Sequence, residues 1–149
     1  MKVVVQRVSS GSVAITAENY LQEIGKGFVI LLGINEADTE EDAIFLADKC
    51  SNLRVFEDQN EKMNLSLKDI DGEVLVISQF TLYGDAQRGN RPSFIAVAKP
   101  DIAVPLYTKF VKRMKDNLGQ NKIKEGIFGA MMVVKIINDG PVTIIIDSK

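Results

Sequence analysis

The sequence predicts a single mixed α/β domain: a twisted, mostly antiparallel, partly barrel-like β-sheet flanked by two longer helices. Three observations carry this. Strand-like apolar runs come in pairs at both ends of the chain, a continuous apolar run bounded by glycines follows the first pair, and two segments repeat apolar residues at helical spacing. A length of 149 residues with 46% apolar content suits one core spanning residues 1–149.

In chain order, residues 3–8 and 12–16 have the β-branched content of short strands, and Ser9-Ser10-Gly11 between them reads as the turn of a hairpin. Residues 27–33 form an unbroken apolar run, as expected of a central strand covered on both faces. A helix follows, capped by Asp38 or Thr39. Glu40, Glu41 and Asp42 suit its positive end, Ala43, Ile44, Ala47 and Cys50 give it an apolar stripe, and it ends near Asn52. A short strand at 53–56 and a polar loop lead to a Val- and Ile-rich strand at 73–80. The second helix starts after Lys99-Pro100 with Asp101 as its cap and Pro105 in or near its first turn. Leu106, Phe110, Met114 and Leu118 recur every fourth residue until Gly119. Residues 131–137 and 142–147 read as a closing hairpin around Asn138-Asp139-Gly140-Pro141.

Composition excludes several chemistries. There is no histidine and a single cysteine, so imidazole-based nucleophilic triads, Cys/His zinc sites and an internal disulfide are ruled out. Cys50, within the first helix, reads as a small core side chain. No apolar run approaches the roughly 20 residues that a membrane helix needs, and the N-terminus lacks a secretory pattern, so a cytoplasmic location is expected. No cofactor or metal ion is expected. Catalysis is left to hydroxyls, carboxylates, Lys or Arg, backbone amides, or groups that a substrate brings.

The net charge of −2 hides a polarity along the chain. Residues 36–73 hold twelve acids against four bases, −8, whereas residues 86–124 hold nine bases against two acids, +7. A basic face on a mildly acidic protein fits a docked polyanion, and it also fits a solvated helix surface.

Two segments are richer in polar and special residues than packing requires. In Ser78-Gln79-Phe80-Thr81-Leu82-Tyr83-Gly84, three polar side chains interrupt a buried-looking strand end. They either hydrogen-bond the turn or meet a ligand. In Asn138-Asp139-Gly140-Pro141-Val142-Thr143, the Gly-Pro step fixes the direction of successive carbonyls. Taken alone it reads as an ordinary trans turn. Asp85 and Asp139, the nearest acids, offer carboxylate-based hydrolysis as an alternative to simple turn roles.

Together these two segments resemble the signature motifs of the D-aminoacyl-tRNA deacylases, also called D-tyrosyl-tRNA deacylases. The similarity runs the whole chain through Gln6-Arg7-Val8, Lys62-Met63-Asn64-Leu65, Arg88-Gly89-Asn90-Arg91-Pro92-Ser93-Phe94 and Gly126-Ile127-Phe128-Gly129-Ala130-Met131-Met132. The resemblance implies a homodimer with its active sites at the subunit interface. It would hydrolyse the ester between a D-amino acid, or glycine, and the terminal adenosine of tRNA. It implies a cis Gly140-Pro141 bond whose carbonyls enter the partner's pocket, bind the substrate amine and exclude an L side chain, with Arg7 holding that loop. Backbone amides at Phe80 and Thr81 would stabilise the oxyanion, Ser78 and Gln79 would shape the pocket, and the tRNA 2′-hydroxyl would help activate water. A nucleophilic Thr81 ranks second for want of a base. Phe128, Met132 and the Ser93-Phe94 pair become candidate pocket residues. Lys109, Lys112 and Arg113 become candidate contacts to the acceptor stem of tRNA. A non-catalytic RNA- or DNA-binding module is the rival reading.

Overall fold

The computed structural model describes residues 1–149. Its elements are β1 (Lys2–Ile15), β2 (Tyr20–Ile24), β3 (Gly27–Gly33), α1 (Glu40–Asn52), β4 (Phe56–Glu57), β5 (Met63–Leu65), β6 (Glu73–Ser78), α2 (Pro100–Leu118), β7 (Ile123–Glu125) and β8 (Val133–Asp147). A 3-10 turn at Phe80–Tyr83 follows β6. One mixed sheet runs β2-β1-β3-β6-β7 with β8 also paired to β1, and β4 and β5 form a separate two-stranded ribbon. Pairs involving β1 are antiparallel, whereas β3-β6 and β6-β7 are parallel. The Tyr20 hydroxyl donates to the Glu125 carbonyl at 2.6 Å, joining β2 to β7 and curling the sheet toward a closed barrel.

The predicted fold class holds, and the central run shows why. Alternate residues of β3 serve opposite faces. Phe28, Ile30 and Leu32 join a cluster under the helices that includes Leu46, Phe110 and Met114. Val29 joins Val8, Val13, Leu75 and Ile77 on the other face. A strand buried on both sides must be apolar throughout, which is what its sequence displays. No helix is long and apolar enough to cross a membrane.

The two expected terminal hairpins do not form. Each is a single long strand, and the two strands pair with one another along nearly their whole length. β1 runs straight through Ser9-Ser10-Gly11, pairing with β3 in its first half and β2 in its second. Its inward residues Val3 and Val5 pack in the helix-side cluster, and Val8 and Val13 in the other. A strand that crosses from one core to the other needs a bend and not a reversal. Irregular pairing between Gln6, Val8 and Ser10 supplies that bend.

Smaller expectations shift as well. α1 starts and stops where the sequence places it, with Thr39 as cap: the Asp42 carboxylate accepts from the Thr39 amide at 2.8 Å. The short strand expected at 53–56 lies at Phe56–Glu57, and the strand expected at 73–80 stops at Ser78. Lys99, and not Asp101, caps α2, because Pro100 takes the first helical position, where no amide is needed. Pro105 sits beyond the first turn, inside the helix. Cys50 is fully buried, and burial pushes its thiol up to about 12.

At one edge the chain ends meet. The Met1 ammonium contacts the Asp38 carboxylate, and Lys149 reaches Asp42 at 3.0 Å. Burial alone would raise the Asp42 carboxyl, but hydrogen bonds from Lys149, Thr39 and Ser148 outweigh it and hold the group well below the usual carboxylate range.

Candidate active site

β6 leaves the sheet at Ser78 and turns at once. The Gln79 amide donates to the Leu32 carbonyl at the end of β3 at 2.8 Å, and the Leu82 amide closes the 3-10 turn on the Gln79 carbonyl at 3.3 Å. The turn fits because Gly33 has no side chain. A Cβ there would lie 2.9 Å from the Leu82 Cβ and 3.2 Å from the Gln79 carbonyl oxygen. Phe80 and Thr81 open the turn, so their amides have no acceptor within it.

Beside this turn lies a pocket of about 500 Å³, within the range of small-molecule sites. Ser78, Gln79 and Phe80 line it, and Phe128 and Met132 belong to the rest of its mostly apolar lining. Tyr107 supports Phe128 from beneath, with ring centroids 5.7 Å apart, and its hydroxyl donates to the Val76 carbonyl at 3.2 Å. Burial pushes that phenol well above its ordinary value, so it remains a neutral donor. Thr81 stands outside the lining but is tied to it, since the Gln79 Nε2 donates to the Thr81 Oγ1 at 2.5 Å. An amide donor cannot take the hydroxyl's proton, so this contact does not make Thr81 a nucleophile.

The pocket gathers only part of the candidate set. Gly140, Pro141 and Arg7 lie away from it, on the β1-β8 ribbon. There Gln6 pairs with Thr143 and Val8 with Asn138, so four residues of β8 face Arg7 alone and form an exposed loop carrying a cis Gly140-Pro141 bond. Arg7 is buried beneath it. Its Nε donates to the Asp139 carbonyl at 3.1 Å, its Nη1 donates to the Val55 carbonyl at 2.7 Å, and a Cβ on Gly140 would stand 3.1 Å from its Nη2.

Ser93 and Phe94 also fall outside the lining. Ser93 pairs with Asp85 through the backbone, and the Phe94 ring packs edge-on against Phe80 at 5.2 Å. The two acids weighed for hydrolysis have structural partners: Asp85 accepts from the Gln87 amide, and Asp139 lies 3.5 Å from the Arg7 Nε. On α2, Lys109 pairs with Glu40, Lys112 with Asp116 and Arg113 with Asp48, at 2.8, 3.1 and 2.7 Å. The Arg113 guanidinium holds the Asp48 carboxyl below its ordinary range, against the burial that would raise it. Sequence reasoning missed the pocket residues Leu32, Ile34, Ala98 and Ala130, which are short or aliphatic and carry no polar signal.

The family model described as D-Tyr-tRNA(Tyr) deacylase matches residues 4–147. The chain belongs to this family. Among its relatives are D-aminoacyl-tRNA deacylases of Flavobacterium psychrophilum, 56% identical, and Caldicellulosiruptor saccharolyticus, 55% identical. Each matches over all of this chain and 98% of its own length. Of solved structures, the c-Myc DNA Unwinding Element Binding Protein superimposes with a TM-score of 0.92 at 40% identity, over 100% of this chain and 99% of the other. A probable eukaryotic D-amino acid tRNA deacylase gives a TM-score of 0.85 at 16% identity, covering 98% of both chains, and shares the fold. Membership in the deacylase family makes the chain an enzyme of the hydrolase class.

Proposed function

We propose that the chain hydrolyses the ester joining a D-amino acid, or glycine, to the terminal adenosine of tRNA, working in the cytoplasm as a homodimer. The observation that carries this reading is the pocket, an apolar cavity entered beside a turn whose first two amides are left without a partner in the turn. Water attacks the ester carbon, the carbonyl oxygen takes up negative charge, and collapse releases the amino acid and the tRNA hydroxyl. Amides of Phe80 and Thr81 stabilise that oxyanion, a contribution of about 10²–10³-fold for one donor in comparable sites. The 2′-hydroxyl of the substrate helps activate the water, so no resident imidazole is needed. Ser78, Gln79, Phe128 and Met132 orient the ester.

Selectivity, in this reading, comes from a second copy. β8 pairs only with β1, leaving a 15-residue edge, and Val133, Ile137 and Ile145 are exposed along it. A twofold partner covers that strand and brings its own Gly140-Pro141 loop to the first copy's pocket. The loop carbonyls bind the α-amino group and fill the space that an L side chain needs.

The test compares release of D-tyrosine and L-tyrosine from the same aminoacylated tRNA at equal enzyme concentration. Loss of the D-ester alone is expected. Equal cleavage of both would keep the hydrolase and overturn the rejection step. The name of the DNA-unwinding-element-binding neighbour favours a second reading, a nucleic-acid-binding module, and binding of tRNA without cleavage of either ester would install it.

A further inference from the structure

The basic stretch at residues 86–124 divides in two when its ion pairs are traced. Lys109, Lys112, Arg113, Lys115 and Lys122 are each paired to an acid within 2.7–3.1 Å. Such cations have little left to offer a phosphate, because docking must first break an existing pair. Four form no ion pair with the protein: Lys124, which is half-buried on β7, and Arg88, Arg91 and Lys99, which are all exposed.

These three free cations lie on one excursion of the chain with both ends on the pocket wall. The chain leaves the wall at Phe80 and returns to it at Val97, Ala98 and Pro100. At its root, Asp85 and Ser93 exchange two backbone hydrogen bonds of 2.8 Å, closing a hairpin with Arg88 and Arg91 at its tip. Arg88 is three residue steps from Asp85, so the tip stands at most about 10 Å from the root. The return limb is pinned by the Ala98 amide on the Ile34 carbonyl at 3.0 Å and the Glu36 amide on the Ala96 carbonyl at 3.3 Å. Between hairpin and pocket sits the Phe80-Phe94 ring pair, both rings partly open to solvent.

We infer that this hairpin, with Lys99, is the phosphate clamp for the single-stranded 3′ end of the tRNA, and that the basic face of α2 is not. This rests on the proposed esterase reading. With the terminal adenosine in the pocket, the chain leading to it crosses the mouth between Lys99 and the hairpin tip. There Arg88, Arg91 and Lys99 neutralise its phosphates, and the Phe80-Phe94 edge takes the face of a preceding base. The clamp is blind to sequence, because it meets phosphates and the face of a base and no base edge. It contributes binding and leaves the bond-breaking step alone.

The experiment uses full-length protein and two substrates, D-tyrosyl-tRNA and D-tyrosyl-adenosine, the latter without phosphates. Combining Arg88→Gln, Arg91→Gln and Lys99→Gln is expected to raise KM for D-tyrosyl-tRNA about 30-fold with kcat kept. The slope of log(kcat/KM) against log salt should flatten by about 2, near the single-strand value for three lost contacts. D-tyrosyl-adenosine should be cleaved at the unaltered rate. Phe94→Leu should cost a few-fold on the tRNA substrate alone, and Lys109→Gln with Lys112→Gln should change neither substrate. Unchanged tRNA kinetics in the triple variant, an equal loss on both substrates, or a loss confined to the α2 variant each overturn the inference. If the unaltered protein cleaves neither ester, the esterase reading fails by itself. Retention of uncharged tRNA by the unaltered and triple-variant proteins then decides the clamp, with unchanged retention overturning it.

Discussion

The two signature segments are built in opposite ways. Ser78-Gln79-Phe80-Thr81 is fastened from within: a strand end, a turn docked on Gly33 and a hydrogen bond to Leu32 place it at the pocket. Asp139-Gly140-Pro141-Val142 is pushed outward as surplus length in a β-ribbon, held by one buried arginine and exposed at its Gly-Pro step. The first segment is positioned for the pocket of its own chain. The second lies outside that pocket's lining, with Gly140 and Pro141 open to solvent. On the proposed reading, a single copy thus holds the wall at which the ester breaks and displays the loop that reads the amino acid in a partner's pocket.

The contrast can be broken most forcefully at Arg7. Arg7→Ala leaves the Val55 carbonyl without its buried donor and the loop without its anchor, so chemical denaturation should show a loss of about 2–3 kcal/mol. In the folded variant, discrimination between D- and L-tyrosyl-tRNA should fall further than D-ester cleavage does; retained discrimination would mean that the loop does not read chirality. The turn is probed by Gly33→Ala, whose methyl group must displace Leu82 or the Gln79 carbonyl. A shift of a few tenths of an ångström should cut kcat about tenfold with KM little changed. The smallest effect is expected from Thr81→Ala, which removes the partner of the Gln79 side chain but keeps both backbone amides. Turnover should fall less than tenfold, and near-complete loss would make the hydroxyl the nucleophile after all.

How much of this was legible in the sequence depended on whether the signal was local. Both ends of α1, the C-terminal end of α2, the two-faced central strand and the buried cysteine follow from neighbouring residues, and they fall where the sequence places them. The hairpins failed because Ser9-Ser10-Gly11 and Asn138-Asp139-Gly140-Pro141 carry ordinary turn chemistry, and nothing local shows that β1 and β8 each continue past these residues to pair with one another. Charge along the chain was only half legible for a related reason. A count of bases on residues 86–124 cannot reveal that Glu40, Asp48, Asp71 and Glu125 are brought in from elsewhere to neutralise four of them. The site was half legible: its polar wall stands out in the sequence, and its aliphatic lining does not.

The buried Cys50 has a practical consequence. With one thiol in the chain, fully enclosed and held protonated near neutral pH, the native protein offers no reactive sulfur at its surface. It is therefore a blank background for site-directed labelling. A cysteine introduced at Asn90 would take a maleimide fluorophore in a single step, and its emission would report when a nucleic acid reaches the hairpin tip, with no cysteine-free parent to build first.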